Sequence, residues 1–274
     1  MKLAGATAKC LLALVLLLFV QALAGALIPI PMKAPGSPLW WLLSNAIVAT
    51  VLTLLALRSP WRRWKLAFVL ALIPAAIQFV NLVEGGVFLD RAGLPWRRLM
   101  GMTALACAMA VPLWALVFRG KEALAEPGPR ASFPGAPWRL VVSSAAYVLL
   151  YLVAGMIVFP FVRDFYATQT MPSMGLIVSL QFFLRGPVFA GLCLLLMRGY
   201  RLQGPAGALA VGLAFTLLSG VAPMIQPNPF FPDSARWAHF WEITCSNFVF
   251  GTFVAWLWRP APAQSCTEAE SVPV

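Results

Sequence analysis

The only histidine of the chain, His239, stands three residues before Glu242 in the stretch HFWEITCSNFVFG, residues 239–251. Acidic residues are scarce, nine in 274, so a carboxylate here draws attention. An imidazole and a carboxylate at i, i+3 share one helix face, and Ser246 continues that face at i+7. Two more polar pairs have helical spacing: Asn81 with Glu84 at i, i+3, and Gln181 with Arg185 at i, i+4. Asn45 and Asn247 add amides to runs that are otherwise apolar. Each type suggests a chemistry. A guanidinium such as Arg185 can fork onto a carboxylate or another anion. Glu84, His239 and Glu242 supply one imidazole and two carboxylates, enough for acid–base hydrolysis or for a metal with open positions. Arg185 would repel a cation beside it, so the expected set is ligand-binding and no metal is assigned. That set is Arg185, Glu84, His239, Glu242, Asn81, Gln181, Asn247 and Asn45. In an enzyme the catalytic groups would be Glu84, His239 and Glu242.

These residues are unusual because of what surrounds them. Hydrophobic residues make up 61% of the chain and charged residues 11%. Soluble domains carry about 25% charged residues, so the composition is that of a chain dissolved in lipid. The net charge of +11 comes from Lys and Arg set between apolar runs, the pattern of charges that orient membrane helices. No nucleic-acid-binding module accompanies it. The five cysteines, Cys10, Cys107, Cys193, Cys245 and Cys266, are odd in number and widely spaced. That excludes a disulfide framework and a zinc pattern, and leaves them as small hydrophobes. Walker A, G-x-S-x-G, H-E-x-x-H and dinucleotide-binding glycine motifs are missing, and no cofactor is expected. The expected partners are membrane lipids and a small solute or lipid headgroup.

Spanning a bilayer takes about 20 apolar residues in a helix. Eight runs qualify: 10–30, 39–57, 65–88, 98–118, 139–161, 175–197, 206–225 and 236–258. The expected fold is all-α, a polytopic transmembrane bundle of eight spans forming one domain over 1–259. A disordered cytoplasmic tail should follow over 260–274. The first run has a signal-like character, with Lys2 and Lys9 before it and "ALA" at 22–24. Its apolar stretch continues to Ile30, long enough to favour a retained span. With both termini inside, the inner set comprises Lys2, Lys9, the basic residues of 58–65 and 119–139, Arg198, Arg201 and Arg259, thirteen in all. Six fall outside: Lys33, Arg91, Arg97, Arg98, Arg163 and Arg236. This excess sets the N-in, C-in orientation and suits a bacterial inner membrane. Nine tryptophans, from Trp40 to Trp258, lie near expected helix ends, as interfacial aromatics do.

Counting from those ends places the polar residues of the second, third, sixth and eighth spans in the outer half of the bilayer. Stripes of this kind must find partners on other helices. They are expected to gather in one outward-facing polar chamber, with Arg185 forked onto Glu84 or Glu242. Pro187 should free the Phe183 carbonyl beside Arg185, and Pro74 and Pro112 should kink their helices. Ser143, Ser144, Tyr147 and Tyr151 read as back-bonded serines and packing tyrosines. The stretch PFVRDFYATQTMPSM, 160–174, reads as an outer loop whose Phe161, Phe165 and Tyr166 could close over the chamber or rest in the headgroup layer. The motif of intramembrane CAAX-type proteases, paired glutamates followed by arginine plus two separate histidine motifs, is not met. Gly85 follows Glu84, and there is one histidine. Three functions stay open: binding or transport of an anionic or zwitterionic solute or lipid headgroup, an intramembrane enzyme, and a structural or accessory role.

Overall fold

The computed structural model describes residues 3–30, 37–88, 94–119, 135–201, 204–227 and 232–259. Among these residues the chain forms eight helices and a polytopic helical membrane bundle. We number them α1 (Leu3–Leu27), α2 (Pro38–Arg58), α3 (Arg63–Phe88) and α4 (Trp96–Val117). The others are α5 (Ala136–Tyr166), α6 (Met174–Tyr200), α7 (Gly204–Met224) and α8 (Asp233–Leu257). Seven, α1 to α7, are long and apolar enough to cross a membrane. α8 has 25 residues, about 37 Å of helix, but His239, Glu242 and Asn247 dilute its apolar character. The tail expected over 260–274 lies outside the described residues, as do 120–134 of the longest connection.

Helix is the local solution because lipid offers no partner to backbone amides, so each segment must satisfy its own. Pro38 opens α2, where the missing N–H costs least, and Gly135 (φ 76°) turns the chain into α5. Pro74, Pro112 and Pro160 lie inside α3, α4 and α5. Ahead of a proline at the middle of α6 and of another at the end of α7, the backbone forms a π turn. Gln181–Arg185 precedes Pro187, and the Gly186 N–H bonds to the Gln181 carbonyl five residues back. Leu217–Val221 precedes Pro223, and the Ala222 N–H bonds to the Leu217 carbonyl in the same way. The expected irregularity beside Arg185 is thus a change of hydrogen-bond register, which also re-aims the side chains of that turn.

α1 packs on α2 and α4, and α3 packs on α4. α8 lies between α5 and α7, while α6 touches α5, α7 and α8. α2 and α3 join the two groups by contacting α6 and α7. The shared core contains fully buried Leu52, Leu55, Leu70, Phe189, Phe215 and Phe250. Glycine permits a close crossing of α7 and α8: a Cβ on Gly251 would meet the Gly212 Cα at 3.0 Å. Small residues of this kind let membrane helices approach backbone to backbone. Arg236, counted above on the outer side at the start of the eighth run, is 3% exposed in the first turn of α8. It donates to the Met224 and Ile225 carbonyls at the end of α7 and pairs with Asp233. A cation placed there satisfies orphan carbonyls and the helix dipole together.

Candidate functional site

The site sits where α3 and α5 end and where α6 and α8 begin. On α3, Asn81 and Glu84 face α6. The Arg185 Nη1 donates to Glu84 Oε2, and its Nη2 donates to Asn81 Oδ1 at 3.1 Å. Gln181 Nε2 donates to the other carboxylate oxygen of Glu84 at 3.0 Å. Glu84 is therefore held by two residues of the π turn, one charged and one neutral. Close approach of α5 and α6 supports that turn. A Cβ on Gly186 would meet the Ser144 Cα at 2.7 Å, so only glycine fits next to Arg185. The guanidinium also lies over the rings of Phe189 (5.1 Å) and Tyr147 (5.5 Å), which stabilises a desolvated cation.

A second cluster joins α5 to α8. His239 Nδ1 and Glu242 Oε2 are 2.5 Å apart, and the opposite ring nitrogen, Nε2, is 2.9 Å from the Tyr166 hydroxyl. Both acidic and imidazole side chains are about nine-tenths covered, 10% and 11% exposed. Glu242 lies against Gly155 of α5, whose missing side chain makes room for it. With the proton on Nδ1, Glu242 fixes the tautomer and leaves Nε2 to accept from Tyr166. The two clusters are neighbours. Tyr147, Tyr151 and Tyr166 each stand within electrostatic reach of both Glu84 and Glu242.

Six of the eight expected residues are thus brought to one region: Glu84, Arg185, Asn81, Gln181, His239 and Glu242. Two are not. Asn247 donates to Ser219 Oγ at 2.9 Å and ties α8 to the π turn of α7. The reason is helical geometry: five residues beyond Glu242 is about 140° round the helix. Asn45 accepts from Gln21 Nε2 at 2.8 Å and donates to the Trp41 carbonyl, in a network with α1. α2 packs on α1, α6 and α7, so its amide faces another compartment. The chamber bounded by α2, α3, α6 and α8 is corrected to a site bounded by α3, α5, α6 and α8. Among the described residues no three His, Cys, Asp or Glu gather as metal ligands. Glu84 is engaged by Arg185, while His239 and Glu242 pair apart from it.

The run 139–161 was expected as a span but not as a wall of the site, and α5 extends beyond it to Tyr166. Residues 160–166 are not loop but the last turns of a 31-residue helix, which carries Tyr166 in to His239 instead of laying it over the top. Ser143 is back-bonded to the Arg139 carbonyl at 2.8 Å, as expected, and also accepts from Trp258. Tyr147 does pack, edge-on to Phe189 and Phe250, but its ring also meets Arg185. The signal available was Tyr147, Tyr151 and Gly155 at i, i+4, i+8, one face carrying two hydroxyls and a gap.

Comparison with known protein families, characterised proteins and solved structures gives no match.

Proposed function

We propose that this chain is an eight-span, single-domain protein of the bacterial inner membrane, with both termini cytoplasmic, that binds a small zwitterionic or anionic solute or a lipid headgroup. The site is the region of Arg185, Glu84, Asn81, Gln181, His239 and Glu242, opening toward the outer face. The excess of Lys and Arg in the inner connections supports the orientation. The length of α8 supports its being the eighth span. One observation carries the binding reading. Arg185 Nε and Gln181 Oε1 are buried without a hydrogen-bond partner, a donor and an acceptor on the two residues that hold Glu84. Such atoms cost about 1–3 kcal/mol each while unmet. A ligand offering an acceptor and a donor together would meet both. Arg185 then holds the anionic group, the carboxylates set orientation and charge balance, and His239 couples the site to protons.

The test uses purified protein and two probes, anionic glycerol 3-phosphate and zwitterionic glycerophosphocholine. Saturable stabilisation of the wild type by either probe is expected. Glu242→Gln should abolish it while the unliganded protein keeps its melting temperature. No response to either probe would sink the binding reading.

The Tyr166–His239–Glu242 line favours a second reading, an intramembrane acid–base enzyme. A carboxylate that orients an imidazole, whose far nitrogen addresses a third group, is the arrangement of a positioned general base. In that reading His239 is the base or proton shuttle, and His239→Gln abolishes turnover without loss of ligand binding.

A further inference from the structure

A second compartment lies between α1, α2, α3, α4 and α7, separate from the polar site and independent of the reading above. It is a cavity of about 450 Å³, within the roughly 300–1,000 Å³ typical of small-molecule sites. Four alanines on its walls, Ala71, Ala75, Ala106 and Ala110, leave the space that larger side chains would fill. Among the described residues none of the lining side chains is Asp, Glu, Lys, Arg or His. Along α4 the lining runs from Met102 to Trp114, about 18 Å of helix, so the cavity is elongated along the bundle.

Its polar groups fall into two kinds. On the α1, α2 and α7 walls they are already spent on one another. Trp41 Nε1 donates to Gln21 Oε1 at 3.0 Å, and Gln226 Nε2 donates to Ser44 Oγ at 2.8 Å. On α3 and α4 they are not. The Trp114 indole N–H is buried without a partner, in a residue 1% exposed. Gln78 lines the same cavity, and its amide makes no hydrogen bond among the described residues. A buried donor without an acceptor is a cost that an occupant carrying oxygen would remove.

We propose that this cavity binds one elongated, uncharged, largely apolar molecule bearing carbonyl or hydroxyl oxygens. An oxygen accepts from Trp114 Nε1, and Gln78 takes a second polar group. The apolar body lies along α4 against the alanines. The missing charge in the lining excludes an ionised headgroup from the interior. Two sources share this chemistry, the ester-linked chain of a membrane lipid and a free quinone-like isoprenoid, and the experiment separates them.

Trp114 is the reporter, read as the fluorescence difference between wild type and Trp114→Phe. The full chain is reconstituted in two kinds of vesicle. One is phosphatidylcholine with brominated acyl chains. The other is unbrominated phosphatidylcholine titrated with decylubiquinone. Quenching of the Trp114 component in the first assigns a lipid chain. Saturable quenching in the second alone assigns the isoprenoid type. Ala106→Leu, which fills the cavity, should remove the quenching. Gln78→Leu, which keeps the volume, should weaken it severalfold in whichever arm responds, and it keeps the test open if Ala106→Leu does not fold. A Trp114 component untouched in both arms overturns the proposal. So does quenching that neither folded variant alters.

Discussion

Two stretches of α3 serve two compartments. Near the end of the helix Asn81 and Glu84 meet Arg185 and Gln181 of α6. About one to two turns earlier Pro74, Ala75 and Gln78 line the cavity shared with α1, α2, α4 and α7. The first region concentrates charge; the second provides space and holds none. The physics differs accordingly. A charge removed from water is tolerable only with a partner and further hydrogen bonds, so the ionisable groups draw α3, α5, α6 and α8 into contact. The alanine-lined region has no such demand and leaves room. Paired charge and unfilled volume are therefore kept in adjacent but separate regions of the bundle.

Stability measurements can break or sharpen this contrast. The largest effect is expected from Arg185→Ala, which leaves Glu84 with an uncompensated charge. Unfolding in detergent should show a loss of about 3–5 kcal/mol. The double variant Glu84→Ala/Arg185→Ala should lose less than the single one. If Arg185→Ala proves as stable as wild type, pairing does not hold the polar region together. Asn247→Ala comes next. It removes the bond to Ser219, and a loss of about 1 kcal/mol is expected, near the upper range for interhelical hydrogen bonds in membranes. Tyr166→Phe removes one partner of His239 and should cost about 0.6 kcal/mol by the same assay. A larger loss would mean that the α5–α8 cluster is a structural tie as strong as the ion pair. The smallest change belongs to the cavity: Gln78→Leu breaks no protein hydrogen bond and should stay within about 0.5 kcal/mol of wild type. A cost above 1 kcal/mol would show that the cavity amide is held by the protein after all.

Several parts of this arrangement were legible in the chain. The apolar runs locate the helices, because lipid leaves a backbone no other way to satisfy its amides. Asn81 with Glu84 and Gln181 with Arg185 could be paired on two helices from spacing alone, since i, i+3 and i, i+4 neighbours share a face. Asn247 was misplaced because depth along the bundle was read without angle around it. Tyr166 was misplaced because 160–174 was read as an outer loop, whereas α5 continues past Pro160 to Tyr166. The cavity escaped notice because alanines announce nothing: space is a property of facing surfaces, not of one segment.

What the sequence determined by itself is the solvent, the helices and the short inventory of polar groups that need partners. Hydropathy and helical periodicity are local quantities, carried by neighbours along the chain. What only the tertiary structure decided is which partner each group found: Glu84 with Arg185, His239 between Glu242 and Tyr166, Asn45 with Gln21. Those choices depend on which helices are adjacent and how each is rotated about its axis. Adjacency and rotation follow from packing of the whole bundle, from the close approach of Gly212 to Gly251 and from the register shift at each π turn. No single helix contains that information.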